Sequence, residues 1–312
     1  MLHDKPNRKV LQELNELVYG HDLAKKALIA LINRSKLRHY QKWGLLLDNK
    51  ELVKTGKCLL VGGSGTGKTH LVESLSTIVE FPLVIVDASS FNPTGASGGI
   101  KPDSLKKLII KKAQEYAESR GDTYFCVDGV LDQMVVFVDE FDKLSHHYDG
   151  GSGNWNEHVQ TQFLTIFENG EDLSGVSWVF AGAFSGIDKK VIKKNNIGFN
   201  STTDAVDDSL IDEDIIKYGM IPEIVGRLTS ICTLDKLTEQ DFFKILTKIV
   251  LPKKMAELSY FGIYGDCLSL EQQHKMAADA AKSNQGVRYL HREVEKYFLD
   301  VEFDYENFSE AE

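Results

Sequence analysis

Gly62-Gly63-Ser64-Gly65-Thr66-Gly67-Lys68-Thr69 sets glycines, a lysine and a hydroxyl residue in the order G-x-x-x-x-G-K-[ST], the spacing of a loop that cradles phosphate. Glycines let the backbone approach an anion closely and take positive φ at several positions. At that spacing the Lys68 ammonium reaches the β- and γ-phosphates of a nucleotide, and the Thr69 hydroxyl ligates Mg²⁺. The flanks fit: Cys58-Leu59-Leu60-Val61 reads as a buried strand, and His70 to Val79 as a helix whose first N–H groups and dipole face the anion. A mere glycine-rich turn would not require Lys-Thr at the helix start. Gly63, Ser64, Gly65, Thr66, Gly67, Lys68, Thr69 and His70 are therefore the expected nucleotide contacts. A second group follows at Val135-Val136-Phe137-Val138-Asp139-Glu140, an apolar strand ending in two acids. Both acids then sit at the carboxyl end of a sheet, where ligands of α/β folds bind. Asp139 is expected to hold Mg²⁺ with Thr69, and Glu140 to polarise the attacking water as general base. Asp142-Lys143 reads as a local ion pair with no catalytic role. His146-His147 point in different directions with no third ligand, which speaks against a metal there.

For these groups to converge, the chain must supply parallel strands with helices between them. From Val10 to Tyr40 apolar residues recur at helical spacing with a break at Gly20, giving two short helices ahead of the nucleotide strand. Apolar runs at Leu83 to Val86, Val135 to Val138 and Val176 to Phe180 alternate with helical stretches such as Asp103 to Ser119. That alternation predicts an α/β domain with a mostly parallel sheet wrapped by helices. Gly150 to Asn154 is a glycine-rich loop, and Lys189 to Asp208 a long polar surface loop. After Leu234, helices are expected over Thr238 to Leu258, Leu270 to Ser283 and Val287 to Asp300, with Asp235, Glu239 and Asp241 near the start of the first. The division predicted is a large nucleotide-binding domain over 1–234 and a small, mainly helical domain over 235–312.

At 312 residues, 42% hydrophobic and 26% charged, the chain is in the ordinary globular range. It has no run of about eighteen apolar residues, and Met1 to Pro6 lacks the apolar core of a signal peptide. A soluble cytoplasmic protein with no membrane partner is expected. The four cysteines, Cys58, Cys126, Cys232 and Cys267, are scattered without a C-x-x-C pair, so neither a zinc site nor a disulfide framework is indicated. A net charge of -10 disfavours a broad grip on nucleic acid.

Taken in order, Val18-Tyr19-Gly20-His21, the phosphate loop, Asp139 to Leu144, Ala181-Gly182-Ala183-Phe184, Ile221 to Leu228 and Gly286-Val287-Arg288 resemble ClpX, a family of AAA+ protein unfoldases. The likeness runs from about Leu11 to Asp300. It implies a hexameric ring with ATP bound between subunits, in which hydrolysis moves loops that pull protein substrates through a central pore. It further implies that Val18, Tyr19 and Gly20 flank the adenine, where packing between helices is the plain alternative. Arg227 matches the arginine finger that reaches the γ-phosphate of the adjacent subunit, with a surface ion pair as its alternative. Arg288 matches a second arginine that senses the γ-phosphate, against a pairing with Glu295 or Asp300 along its own helix. Ile197-Gly198-Phe199 resembles the tripeptide by which this family docks on a ClpP-like peptidase.

Three departures bear on what is gripped. Because the ATPase pattern begins almost at Met1, adaptor binding through the family's four-cysteine zinc module is not expected. The pore-loop stretch is Thr94-Gly95-Ala96-Ser97-Gly98-Gly99-Ile100, so a methyl group at Ala96 replaces the family's aromatic ring and contact area falls; Ile100 or Phe91 could compensate. Glu168 to Gly175 is too short for the basic loop around the pore entrance. Trp155 falls where the second pore loop lies and can be read either as a substrate contact or as local packing. An ATP-driven remodeller that acts on one dedicated partner without threading is therefore the alternative to an unfoldase serving a peptidase.

Overall fold

The computed structural model describes residues 5–43, 51–91, 102–120, 126–145, 155–169, 173–185, 187, 209–260, 262, 268–283 and 285–303. Thr94 to Ile100, His146-His147, Gly150 to Asn154, Ile197-Gly198-Phe199 and Cys267 lie outside them. Two compact units emerge: Met1–Leu14 with His21–Gly62 and Lys68–Leu234, and Asn15–Gly20 with Gly63–Gly67 and Asp235–Glu312.

In the first unit β1 (Lys57–Val61), β2 (Leu83–Asp87), β3 (Val135–Asp139), β4 (Ser177–Gly182) and β5 (Ser230–Thr233) form one sheet in the order β2-β3-β4-β1-β5. All pairings are parallel, in agreement with the mostly parallel sheet expected. β4 is buried throughout and β3 nearly so, and both read as unbroken apolar runs, whereas the edge strand β2 alternates and leaves Ile85 44% exposed. β5 escapes the sequence reading because Ser230-Ile231-Cys232-Thr233 is short and half polar; its pairing with β1 creates it.

Around the chain's first half run α1 (Asn7–Leu17), α2 (Asp22–Lys42), α3 (Lys68–Val79) and α4 (Pro102–Arg120). α2 has 21 residues and is not the short helix expected, since nothing between Asp22 and Lys42 breaks it. The break before it is sharp, with Gly20 at φ 70 and His21 at φ 61. Further on come α5 (Val127–Leu131), α6 (Trp155–Asn169), α7 (Ser209–Lys217) and α8 (Pro222–Val225). The core of this unit is aromatic near the acids: the Phe141 ring lies 4.5 Å from Phe180 and 5.9 Å from Phe163, centroid to centroid. Burying each such ring contributes roughly 1.5–3 kcal/mol, so the residue directly after Glu140 is firmly anchored.

The second unit contains α9 (Glu239–Ile245), α10 (Leu251–Ser259), α11 (Leu270–Lys282) and α12 (Val287–Phe303). One helix was expected from Thr238 to Leu258; instead a π-turn at Leu246–Val250 separates α9 from α10. Pro252 explains it, because a proline removes an N–H and crowds the carbonyl four residues back, and a widened turn relieves both. Thr238 and Asp241 form a capping box at the start of α9. Phe242, Leu246, Leu258, Leu290, Val294 and Phe298 fill the core.

Lys254 is 5% exposed, with Glu295 and Glu302 each 2.6 Å from its ammonium and Glu257 at 3.9 Å. Burial would lower its pKa, but the Glu295 and Glu302 carboxylates outweigh that and hold it above the ordinary 10.5. A raised pKa stabilises the fold below the unfolded value, and that contribution is lost only as pH climbs through the folded one. Lys254→Met is therefore expected to destabilise this unit by about 1–2 kcal/mol. The deficit should be the same at pH 6 and pH 8 in thermal melts followed by circular dichroism.

Candidate active site

β3 delivers Asp139 and Glu140 to the carboxyl edge of the first unit's sheet, and α3, which starts at Lys68, delivers Lys68 and Thr69 to the same edge. Thr69 Oγ1 donates to Asp139 Oδ2 at 2.8 Å, while Asp139 Oδ1 accepts the Glu140 N–H at 2.9 Å. The carboxylate is thus held from both sides. Glu140 itself is exposed and takes a left-handed backbone, φ 53; such a conformation in a non-glycine residue costs about 1 kcal/mol or more and persists only where its surroundings enforce it. Here Phe141 supplies the anchor. Lys68 is buried and donates from Nζ to Gly62 O at 2.6 Å, and Gly62 N–H donates to Gly182 O at 3.0 Å, so the loop's first residue is tied to the end of β4. The helix begins two residues before the expected His70, which places Lys68, Thr69 and His70 together in its first turn.

The rest of the phosphate loop lies in the second unit. Gly65 and Gly67 have φ 72 and 88, and Thr66 Oγ1 donates to Gly63 O at 2.9 Å. Val287 N–H donates to Gly65 O at 3.2 Å, and Arg288 Nη1 donates to Ser64 Oγ at 3.0 Å. The two backbones touch, so a Cβ on Gly65 would overlap the Gln285 carbonyl and one on Gly286 would overlap the Gly65 carbonyl. Arg288 therefore meets the phosphate loop, while Glu295, offered as its helix partner, binds Lys254. In this unit Val18 is buried and Tyr19 packs against the core around Phe242, with Leu237 beside Gly20.

Arg227 stands elsewhere. Its Nη1 donates to Glu223 O at 2.5 Å. Two residues on, Thr229 N–H and Oγ1 donate to Lys57 O at 2.7 and 2.9 Å, and Lys57 N–H donates to Thr229 Oγ1 at 2.9 Å. Thr229 is thereby level with the first residue of β1 and Arg227 lies two residues before it, whereas Gly62 follows the last. The strand between them spans about 13 Å at ~3.3 Å per residue. Lys57 shares this end: burial lowers its pKa, and the Arg227 guanidinium lowers it further.

Two residues stand beside the site in roles the sequence did not give them. Asp142, read as a partner for Lys143, is buried instead, and its Oδ2 accepts the Phe184 N–H at 3.3 Å just past β4. Gln160 is wholly buried in α6 and bonds to backbone on both sides of the site. Neither stands out from its neighbours in sequence, Gln160 lying among His158, Thr161 and Gln162 and Asp142 beside Lys143. Among the described residues no three His, Cys, Asp or Glu side chains gather as a metal cluster, and no helix is long and apolar enough to cross a membrane.

Residues 58–199 match the model of the ATPase family associated with various cellular activities, AAA. Over 341 aligned residues the chain is 27% identical to the ATP-dependent Clp protease ATP-binding subunit ClpX of Treponema denticola, covering 96% of this chain and 77% of that one.

Proposed function

We propose that the chain is an AAA+ ATPase of the ClpX type, an ATP-dependent protein unfoldase or remodeller that hydrolyses ATP at the subunit interfaces of a ring. Lys68 gives up its bond to Gly62 O to meet the β- and γ-phosphates, and the backbone N–H groups from Gly63 to His70 take the remaining oxygens. Thr69 Oγ1 and Asp139 Oδ2, already 2.8 Å apart, are the groups that would hold Mg²⁺; when bound, the ion draws charge from the β- and γ-phosphate oxygens. Two protein ligands suit a cation held mainly by phosphate and water. Glu140, one peptide from Asp139, accepts the proton of the attacking water. Val18, Tyr19 and Gly20 flank the adenine, and Arg288 exchanges Ser64 Oγ for the γ-phosphate. In this reading the domains divide at Leu234, and the protein is cytoplasmic.

The observation that carries the ring is the place of Arg227. It lies at the far end of β1 from Gly62, and its described hydrogen bond there is to the Glu223 carbonyl. An arginine so placed serves a γ-phosphate only if that phosphate belongs to a neighbour. Catalysis would then require assembly.

Delivery to a ClpP-like peptidase is the finer part of this reading, supported by Ile197-Gly198-Phe199 in a polar stretch of the sequence. Ala96 at the pore-loop position favours the second reading, a remodeller of one partner that does not thread it. Deleting residues 197–199 separates them. Under the first, ATP turnover stays within about twofold while degradation of an unfolded protein by added ClpP is lost. The unaltered protein failing to drive ClpP at all would leave the remodeller.

A further inference from the structure

We propose that Gln160 is a positioning residue for Arg227, binding the segment that carries this arginine to the segment that follows the hydrolytic acids. The inference rests on the reading of Arg227 as acting on the neighbouring subunit. Gln160 Nε2 donates to Leu144 O at 2.6 Å and to Gly219 O at 3.1 Å, and its Oε1 accepts the Ile221 N–H at 2.8 Å. Leu144 ends the single tight turn, Phe141–Leu144, that begins immediately after Glu140. Gly219 and Ile221 precede α8, whose four residues end two positions before Arg227. A helix that short has no rigidity of its own, so the direction in which Arg227 leaves the fold is set by what holds Gly219 to Ile221.

Gly219 and Met220 N–H bond back to Ile216 O and Ile215 O of α7, and one buried amide ties the segment to the turn after Glu140. Both its donors and its acceptor are used on backbone groups that would otherwise stand unpaired in an apolar interior, so the three bonds form or break as a set. A second tie runs beside it: Asp142 Oδ2 accepts from Phe184 N–H, and the Phe184 ring packs 5.1 Å from Tyr218. Any shift of the turn after Glu140 therefore pulls on the Tyr218–Ile221 segment. Through it, the state of one subunit's acids reaches the arginine that subunit lends to the next. Gln160 touches no nucleotide in this scheme.

Mixed subunits isolate the effect. An Arg227→Ala subunit keeps its acids but lends no arginine; a Glu140→Gln subunit has lost its acid but still lends one. Mixing the two should raise ATP turnover at least tenfold above either alone. Replacing the second by Glu140→Gln/Gln160→Met should cut the restored turnover at least tenfold, although that subunit binds a fluorescent ATP analogue within twofold of Glu140→Gln. Equal restoration with and without the Gln160 change overturns the proposal, since a residue supporting only its own site cannot matter in a subunit whose acid is gone. No restoration by Glu140→Gln itself overturns instead the reading of Arg227 as acting across an interface. If the Met variant does not fold by thermal melt, Gln160→Glu decides: it keeps an acceptor for Ile221 N–H, loses the amide donors, and should still restore less than the unaltered glutamine.

Discussion

Glu140→Gln should bind ATP as the unaltered protein does and hydrolyse it 10²- to 10⁴-fold more slowly, roughly the contribution of a positioned general base. The amide is close to isosteric, so Asp139 keeps its bonds from Thr69 and from the backbone N–H of residue 140. The left-handed backbone at 140 is set by the burial of Phe141, which the change does not touch. Only the proton acceptor for the attacking water is lost. Phosphate release and equilibrium binding of a fluorescent ATP analogue separate the two effects, and near-normal turnover would remove Glu140 from the role of base. The variant also has a practical use. With ATP held unhydrolysed, whatever the motor acts on should stay bound and co-purify, which addresses the identity of the substrate directly.

The second large effect is expected at Arg227. Arg227→Ala should lower kcat on the order of 10³-fold, the scale of an arginine supplied across an interface, while nucleotide affinity changes little. The described hydrogen bond of this guanidinium is to Glu223 O, beside the first residue of β1. Specific activity of the unaltered protein should rise with protein concentration as interfaces form, and the Arg227→Ala protein should show no such rise. Hydrolysis that survives Arg227→Ala, or that is independent of concentration far below assembly, would count against the ring.

The phosphate loop and the acids at the end of β3 were legible because their chemistry depends on residues close together in the chain. Glycines at Gly65 and Gly67 are required by positive φ, and Lys68 and Thr69 by their place in the first turn of α3. Strands buried on both faces announce themselves as unbroken apolar runs, so β1, β3 and β4 could be placed, and β2 is as apolar in sequence although its edge position exposes Ile85; β5 depends on pairing with β1 and has too little apolar sequence to stand out. Pro252 was visible, but its outcome as a π-turn, with no break in the chain of helical turns, depended on packing around Leu246 and Leu258. Asp142 shows the limit most plainly: beside Lys143 in sequence it reads as an exposed ion pair, yet it faces inward to the end of β4.

What the sequence determined by itself is the local pattern behind the proposed reaction: the phosphate loop and the two acids follow from residue type and spacing, because each group sits in a loop or turn of a few residues. What only the tertiary structure decided is where these groups stand relative to distant ones. The parallel register of β1 and β5 puts Arg227 at the opposite end of the sheet from Gly62, and the buried amide of Gln160 joins Leu144 to Ile221 across 77 positions of chain, 16 to one side and 61 to the other. Such placements come from hydrogen bonds and burial that exist only once the chain has closed on itself, and no local pattern encodes them.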